Sequence, residues 1–193
     1  MGEKKIKESI SISGFTDSQL MEMLADGEKK ALAELMKRYR TKALNYAYRF
    51  LGDFDEAEDA AQECFVKVYY NRQRFDTQMP FAPWFYKILS NSCRDRIRKR
   101  SIFTDFLERF KIQQKIDSET AEQNNFANPD IFNKALMKLP PSKREIITLR
   151  FTEDLSYEEI ASALGISKGT VMSRLFRAKK ELEKILLMMG ISV

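Results

Sequence analysis

No histidine occurs anywhere in the 193 residues of this chain. That absence removes the side chain most used for proton transfer at neutral pH, and with it the usual zinc-ligand sets. Cysteine is nearly as scarce. Cys64 and Cys93 do not make a metal site, and both lie among helix formers, where small buried thiols are common. A structural role is expected for them. Glycine and proline number 7 and 5, while Leu, Ala, Glu, Lys, Met and Arg dominate, which favours helix over strand. No apolar run approaches the roughly 18 residues of a membrane span, and no signal-peptide pattern opens the chain. An intracellular, soluble protein without direct membrane insertion is expected. Phosphate loop, nucleophile elbow and dinucleotide fingerprint are all missing. Neither a catalyst nor a cofactor is expected.

What is present is charge, unevenly spread. The net charge is only +5. Yet Asp53 to Glu63 holds six acids and no base, whereas Lys87 to Arg100 holds six bases and one acid. Such separation suggests a protein partner for the acidic segment and nucleic acid for the basic ones.

Ser156 to Lys180 is the most telling stretch, reading as two short helices and a tight turn. Tyr157, Ile160, Ala161 and Leu164 fall at i, i+3, i+4 and i+7, one buried stripe. Ser156 and Glu159 have the spacing of a capping box. Gly165 stands where a left-handed residue would end the first helix, Ile166 can plug the turn, and Ser167 can cap the second. In that second helix Val171, Leu175, Ala178 and Leu182 face inward, leaving Lys168, Thr170, Ser173, Arg174 and Arg177 outward. Lys168 to Lys180 carries five positive charges and no negative one. This is the build of a helix-turn-helix whose second helix enters the DNA major groove.

The rest of the chain reads as all-α: two small helical domains, an N-terminal bundle and a C-terminal helix-turn-helix domain, joined by a flexible linker. Residues 1–14 lack a sustained period and suggest a loose arm. A helix begins after Thr16 or Asp17 as cap. Ala31 to Leu51 is amphipathic, with Leu32, Leu35, Met36, Tyr39, Ala43, Tyr46 and Phe50 recurring, and Gly52-Asp53 breaks it. The acidic helix follows, with Ala57, Ala60, Ala61, Cys64, Phe65 and Val68 inward. Asn71 to Pro83 reads as a loop, and a helix from near Pro83 to about Arg100 carries aromatics beside cations. Of Trp84 and Phe85, Trp84 is the one expected to be partly exposed. Residues 102–128 read as a linker, with a short helix around Phe106 to Ile112. Helices near Asp130–Lys138 and Ser142–Phe151 then precede the helix-turn-helix. The domains are taken as 15–101 and 129–190.

Four stretches together resemble one family. Residues 55–69 (DEAEDAAQECFVKVY), 81–99 (FAPWFYKILSNSCRDRIRK), 139–161 (LPPSKREIITLRFTEDLSYEEIA) and 169–182 (GTVMSRLFRAKKEL) are similar, in order and spacing, to the compact extracytoplasmic-function (ECF) group of bacterial sigma factors. The resemblance runs from Asp17 to Leu186. It implies an alternative sigma factor that binds core RNA polymerase and directs promoter recognition, melting and initiation, often in stress responses. Core binding would use Asp55, Glu56, Glu58, Asp59, Gln62 and Glu63 against the coiled coil of the largest subunit, with the flap as a further polymerase contact. The melted minus-10 strand would meet Phe75, Phe81, Trp84, Lys87, Asn91, Arg94 and Arg98, because unpaired bases need aromatic surfaces and cations. The minus-35 duplex would meet Lys168, Thr170, Ser173, Arg174 and Arg177, with arginine suited to guanine. Promoter DNA and an anti-sigma factor would be further partners, the latter able to hold a cytoplasmic protein at the membrane. Many relatives carry a basic residue where this chain has Met172, so the target sequence does not transfer. The alternative is a stand-alone helix-turn-helix regulator, which has no use for a second basic, aromatic helix.

Overall fold

The structure is a computed structural model; it describes residues 12–109 and 131–191, with side chains described for 12–103 and 131–191. Among these residues the regular structure is helical. After a 3-10 turn at Ile12–Gly14 come α1 (Asp17–Ala25), α2 (Lys29–Leu51), α3 (Phe54–Tyr70) and α4 (Phe81–Arg109). The C-terminal group is α5 (Ile131–Met137), α6 (Pro141–Phe151), α7 (Tyr157–Leu164) and α8 (Lys168–Met188).

Local chemistry sets most boundaries. Thr16 and Gln19 form a capping box on α1, and Asp53 caps α3 by accepting from the Glu56 amide. Gly52 ends α2 in the left-handed conformation (φ +76°). Leu35, Tyr39, Ala43, Tyr46 and Phe50 make α2 the spine on which α1, α3 and α4 pack. Phe65, Phe81 and Phe85 surround Tyr39 or one another at centroid separations of 4.9 to 5.6 Å. Aromatic pairs at such distances add about 0.5–1.5 kcal/mol each beyond area burial. Cys64 and Cys93 are buried in this core as reduced thiols. Burial pushes both up, Cys93 to about 12, so neither is a thiolate at neutral pH.

Three expectations change. The helix expected from Pro83 starts at Phe81, because Pro83 still falls within the first turn, where amides have no intrahelical acceptor. It also runs on to Arg109, through residues expected to begin the linker. Residues 101–109 contain no glycine or proline to stop it, and the short helix expected around Phe106 is in part the end of α4. The remainder of the expected linker, 110–128, lies outside the described residues, as does most of the expected arm. The arm's last residues, Ile12–Gly14, are tied down: Arg38 donates to the Ser13 and Phe15 carbonyls, each at 2.9 Å, and pairs with Asp17 at 2.8 Å.

Candidate nucleic-acid interface

The helix-turn-helix forms from its own local signals. Ser156 and Glu159 close a capping box on α7, Gly165 ends it at φ +66°, and Ser167 caps α8 by accepting from the Thr170 amide. Val171, Leu175, Ala178, Leu182 and Ile185 are buried, which turns the opposite side of α8 outward. On α7 the deeply buried residues are Ile160 and Ala163; Tyr157, Ala161 and Leu164 are only partly covered. Of the expected DNA-facing set, Lys168, Ser173, Arg174 and Arg177 are exposed and Thr170 is half-buried. The Thr170 hydroxyl is hydrogen-bonded to that of Ser167 at 2.8 Å. Lys168 pairs with Glu158, and Arg177 donates to the Ser173 carbonyl at 3.2 Å. Glu158 is held below the usual carboxylate range by its hydrogen bond from Lys168. Met172, which the sequence singled out as a departure bearing on the target, is 52% exposed on this helix, and Phe176, which the sequence did not mark as a surface group, is 60% exposed.

A second region gathers at the start of α4. Trp84 is half-buried, its ring 5.1 Å from Phe75 and 6.0 Å from Phe81, whereas Phe85 is fully enclosed. Arg74, Phe75, Asp76, Met79, Trp84 and Lys87 are among the residues lining a cavity of about 270 Å³. The expected aromatic surface is therefore narrower than the sequence suggested. Phe81 is 2% exposed and edge-on to Tyr39, so it backs the cavity from the core and offers no open face. Phe75 too is largely buried. Asn91 and Arg98 lie further along α4 and do not line this cavity, nor does Arg94, which donates to Asn91 at 2.9 Å. Arg98 pairs with Asp95 at 2.9 Å.

The acidic helix divides by direction. Glu56 pairs with Arg100 at 2.7 Å; Glu63 bonds Lys67 at 2.8 Å and Arg96 at 3.4 Å. The Lys67 hydrogen bond, with the nearby cations, holds Glu63 below the usual carboxylate range. These two carboxylates thus brace α3 within the N-terminal group. Asp55, Asp59 and Gln62 are exposed and Glu58 is half-buried; Asp59 also reaches Arg96, at 3.4 Å. Val66 and Tyr70, 53% and 75% exposed, continue this outward side toward the end of α3.

Comparison with known proteins decides the family. A model described as "Sigma-70 region 2" matches residues 35–102, and "Sigma-70, region 4" matches 130–182. The RNA polymerase sigma-H factor of Pseudomonas aeruginosa is 31% identical, over 88% of this chain and 93% of its own. The ECF RNA polymerase sigma factor SigW of Bacillus subtilis is 32% identical, over 82% and 90%. This chain belongs to the ECF sigma factors. Among solved structures, the Bartonella quintana sigma factor RpoE, in complex with the anti-sigma factor NepR, is 26% identical with a TM-score of 0.68, covering 81% of this chain and 97% of its own. CnrH, in complex with the cytosolic domain of CnrY, is 26% identical with a TM-score of 0.67, covering 88% and 96%.

In this sigma factor the two helix groups pack directly, α7 against α4 and α6 against α2. Six consecutive residues of α6, Arg144 to Leu149, are buried. Arg144 donates to the Phe50 carbonyl at 2.8 Å and to those of Met137 and Leu139. Glu145, 4% exposed, meets Arg94 at 2.8 Å and Tyr46 at 3.4 Å. Arg94, expected on the melted strand, is here an interface residue. Tyr86 donates to Glu153 in the same seam. Burial raises the carboxyls of both Glu145 and Glu153, against the lowering pull of Arg94 on the first. Glu158, Glu159 and Ser162 of α7 form the far wall of the Trp84 cavity. No helix among the described residues is long and apolar enough to cross a membrane.

Proposed function

We propose that this sigma factor works through three separate surfaces and is a cytoplasmic, non-catalytic initiation factor. The carrying observation is the pairing, in one chain, of a recognition helix whose first thirteen residues, Lys168 to Lys180, are cationic and acid-free with a cavity at the start of α4 lined by Phe75, Trp84, Arg74 and Lys87. The outward side of α3, with Asp55, Asp59 and Gln62 exposed and Glu58 half-buried, binds a basic surface of core polymerase. The cavity at Trp84 takes a base extruded from the minus-10 element, with Lys87 and Arg74 following its phosphates. Extrusion costs a few kcal/mol, which stacking on Trp84 offsets. The outward side of α8 reads the minus-35 duplex, with Ser173, Arg174 and Arg177 as its polar contacts.

Because α7 walls the cavity, strand capture requires the C-terminal group to withdraw from α4. That separation suits a factor whose two DNA elements lie far apart. Likeness to RpoE with NepR and CnrH with CnrY supports a restraining anti-sigma protein for this chain too. Where that partner is membrane-bound, the sigma factor is held there.

Mutation separates the surfaces. Arg174→Ala should lower promoter-specific initiation by about tenfold or more, the worth of one base contact, and leave affinity for core polymerase unchanged. Asp55→Lys with Glu58→Lys should weaken core binding and leave promoter choice intact in the complexes that still form. Equal loss of both activities in either variant would sink the separation.

A further inference from the structure

We propose that Met172 and Phe176 form an apolar strip that reads the 5-methyl group of thymine in the upstream promoter element. The proposal rests on the reading of α8 as the duplex-recognition helix. At 3.6 residues per turn, positions 172 and 176 are successive-turn neighbours on one side of the outward face. Ser173 lies next to them, and Arg177 and Arg174 lie beyond it. Both side chains are more than half exposed, although the same helix buries Val171, Leu175 and Ala178 on its inner side. The Lys180 ammonium sits 4.7 Å from the centroid of the Phe176 ring. The surroundings are predominantly cationic: Lys168, Arg174, Arg177, Lys179 and Lys180 fall on a stretch without an acid, although Lys168 pairs with Glu158 of α7 and the exposed Glu183 follows beyond Lys180. An apolar strip inside a predominantly cationic surface matches a duplex groove, whose phosphates answer the cations. In the major groove, thymine alone offers a methyl group to apolar side chains. The remaining polar side chains of α8 are then left to read guanine or phosphate beside it.

The experiment uses holoenzyme made from this chain and core polymerase. Duplexes are first selected from a library randomised in the upstream element, and each selected thymine is then replaced by uracil, which deletes one methyl. For the wild type, uracil at one or two positions should weaken binding about three- to fivefold per methyl, the worth of a buried methyl-sized group. The double variant Met172→Ala, Phe176→Ala should bind thymine and uracil duplexes equally. A thermal melt matching wild type would show that it folds, as expected for exposed positions. Selection of elements without thymine, indifference of the wild type to uracil, or a thymine preference that survives in the double variant would each overturn the proposal. Failure of the duplex-recognition reading itself looks different: the library then yields no enriched sequence, and no wild-type affinity exists to be weakened.

Discussion

Trp84 is half-covered because Phe75 and Phe81 close around one part of its ring while the rest faces a cavity. Its replacement by alanine removes one stacking surface, so heparin-resistant open complexes should fall by roughly 5- to 150-fold, the range for a lost base–aromatic stack. Trp84→Phe should recover part of that loss; equal loss in both variants would mean that the ring acts through packing alone. Phe81→Ala should behave otherwise. Deleting a buried phenylalanine costs about 3–5 kcal/mol of stability, and a thermal melt should report it before any promoter assay does. The sequence distinguished Trp84 from Phe85 through helical phase, since Trp84 shares a side with Lys87 and Asn91. It did not demote Phe75 and Phe81, because their covers, Tyr39 of α2 and one another, come from elsewhere in the chain. Phe176 was missed for the converse reason: a large apolar side chain on an amphipathic helix reads as core until the helix is docked.

At the level of the element, what was legible is what local chemistry decides. Ser156 with Glu159, Gly165 and Ser167 act through hydrogen bonds and backbone angles within four residues, so the helix-turn-helix could be read directly. Gly165 adopts φ +66°, where a side chain is strained even though space around it is open. Gly165→Ala should therefore destabilise the turn by about 1 kcal/mol, and Gly165→Asn by less, because asparagine tolerates the left-handed region. Chemical denaturation measures the difference; an alanine variant as stable as wild type would contradict it. The far end of α4 was not legible. Composition suggested a linker after residue 101, yet a stretch without glycine or proline can simply prolong a helix already nucleated. On α3 the sequence found the acidic face but not its division, because Arg96 and Arg100 of α4 draw Glu63 and Glu56 inward.

For the whole molecule, the consequential feature is closure of the C-terminal group over α4, which no local pattern announced. The two groups were read as separately tethered, whereas Glu145, Arg94 and Tyr46 meet across 99 and 51 residues of chain. Closure also buries two carboxyls, and this sets a direction with pH. Glu145 and Glu153 are raised by burial in the closed form and return to the usual carboxylate range when the groups part. The closed form binds protons more readily than the open one, so acid favours closure and closure weakens as pH rises through the raised values. Small-angle scattering should show the particle becoming more compact as pH is lowered from neutral, with a smaller change in Glu145→Gln; expansion on acidification would contradict this. Gly52 sits in the same seam, where an added Cβ would lie 2.8 Å from the Met137 sulfur. Gly52→Ala should loosen the contact between α2 and α5 as well as strain the end of α2. The most direct test that the chain directs initiation is in vitro transcription from genomic fragments, with core polymerase in the presence and absence of the purified protein. Discrete new start sites that depend on the protein, each preceded by a shared pair of upstream elements, are the predicted result. DNA binding without core polymerase, and no new transcript with it, would contradict the account.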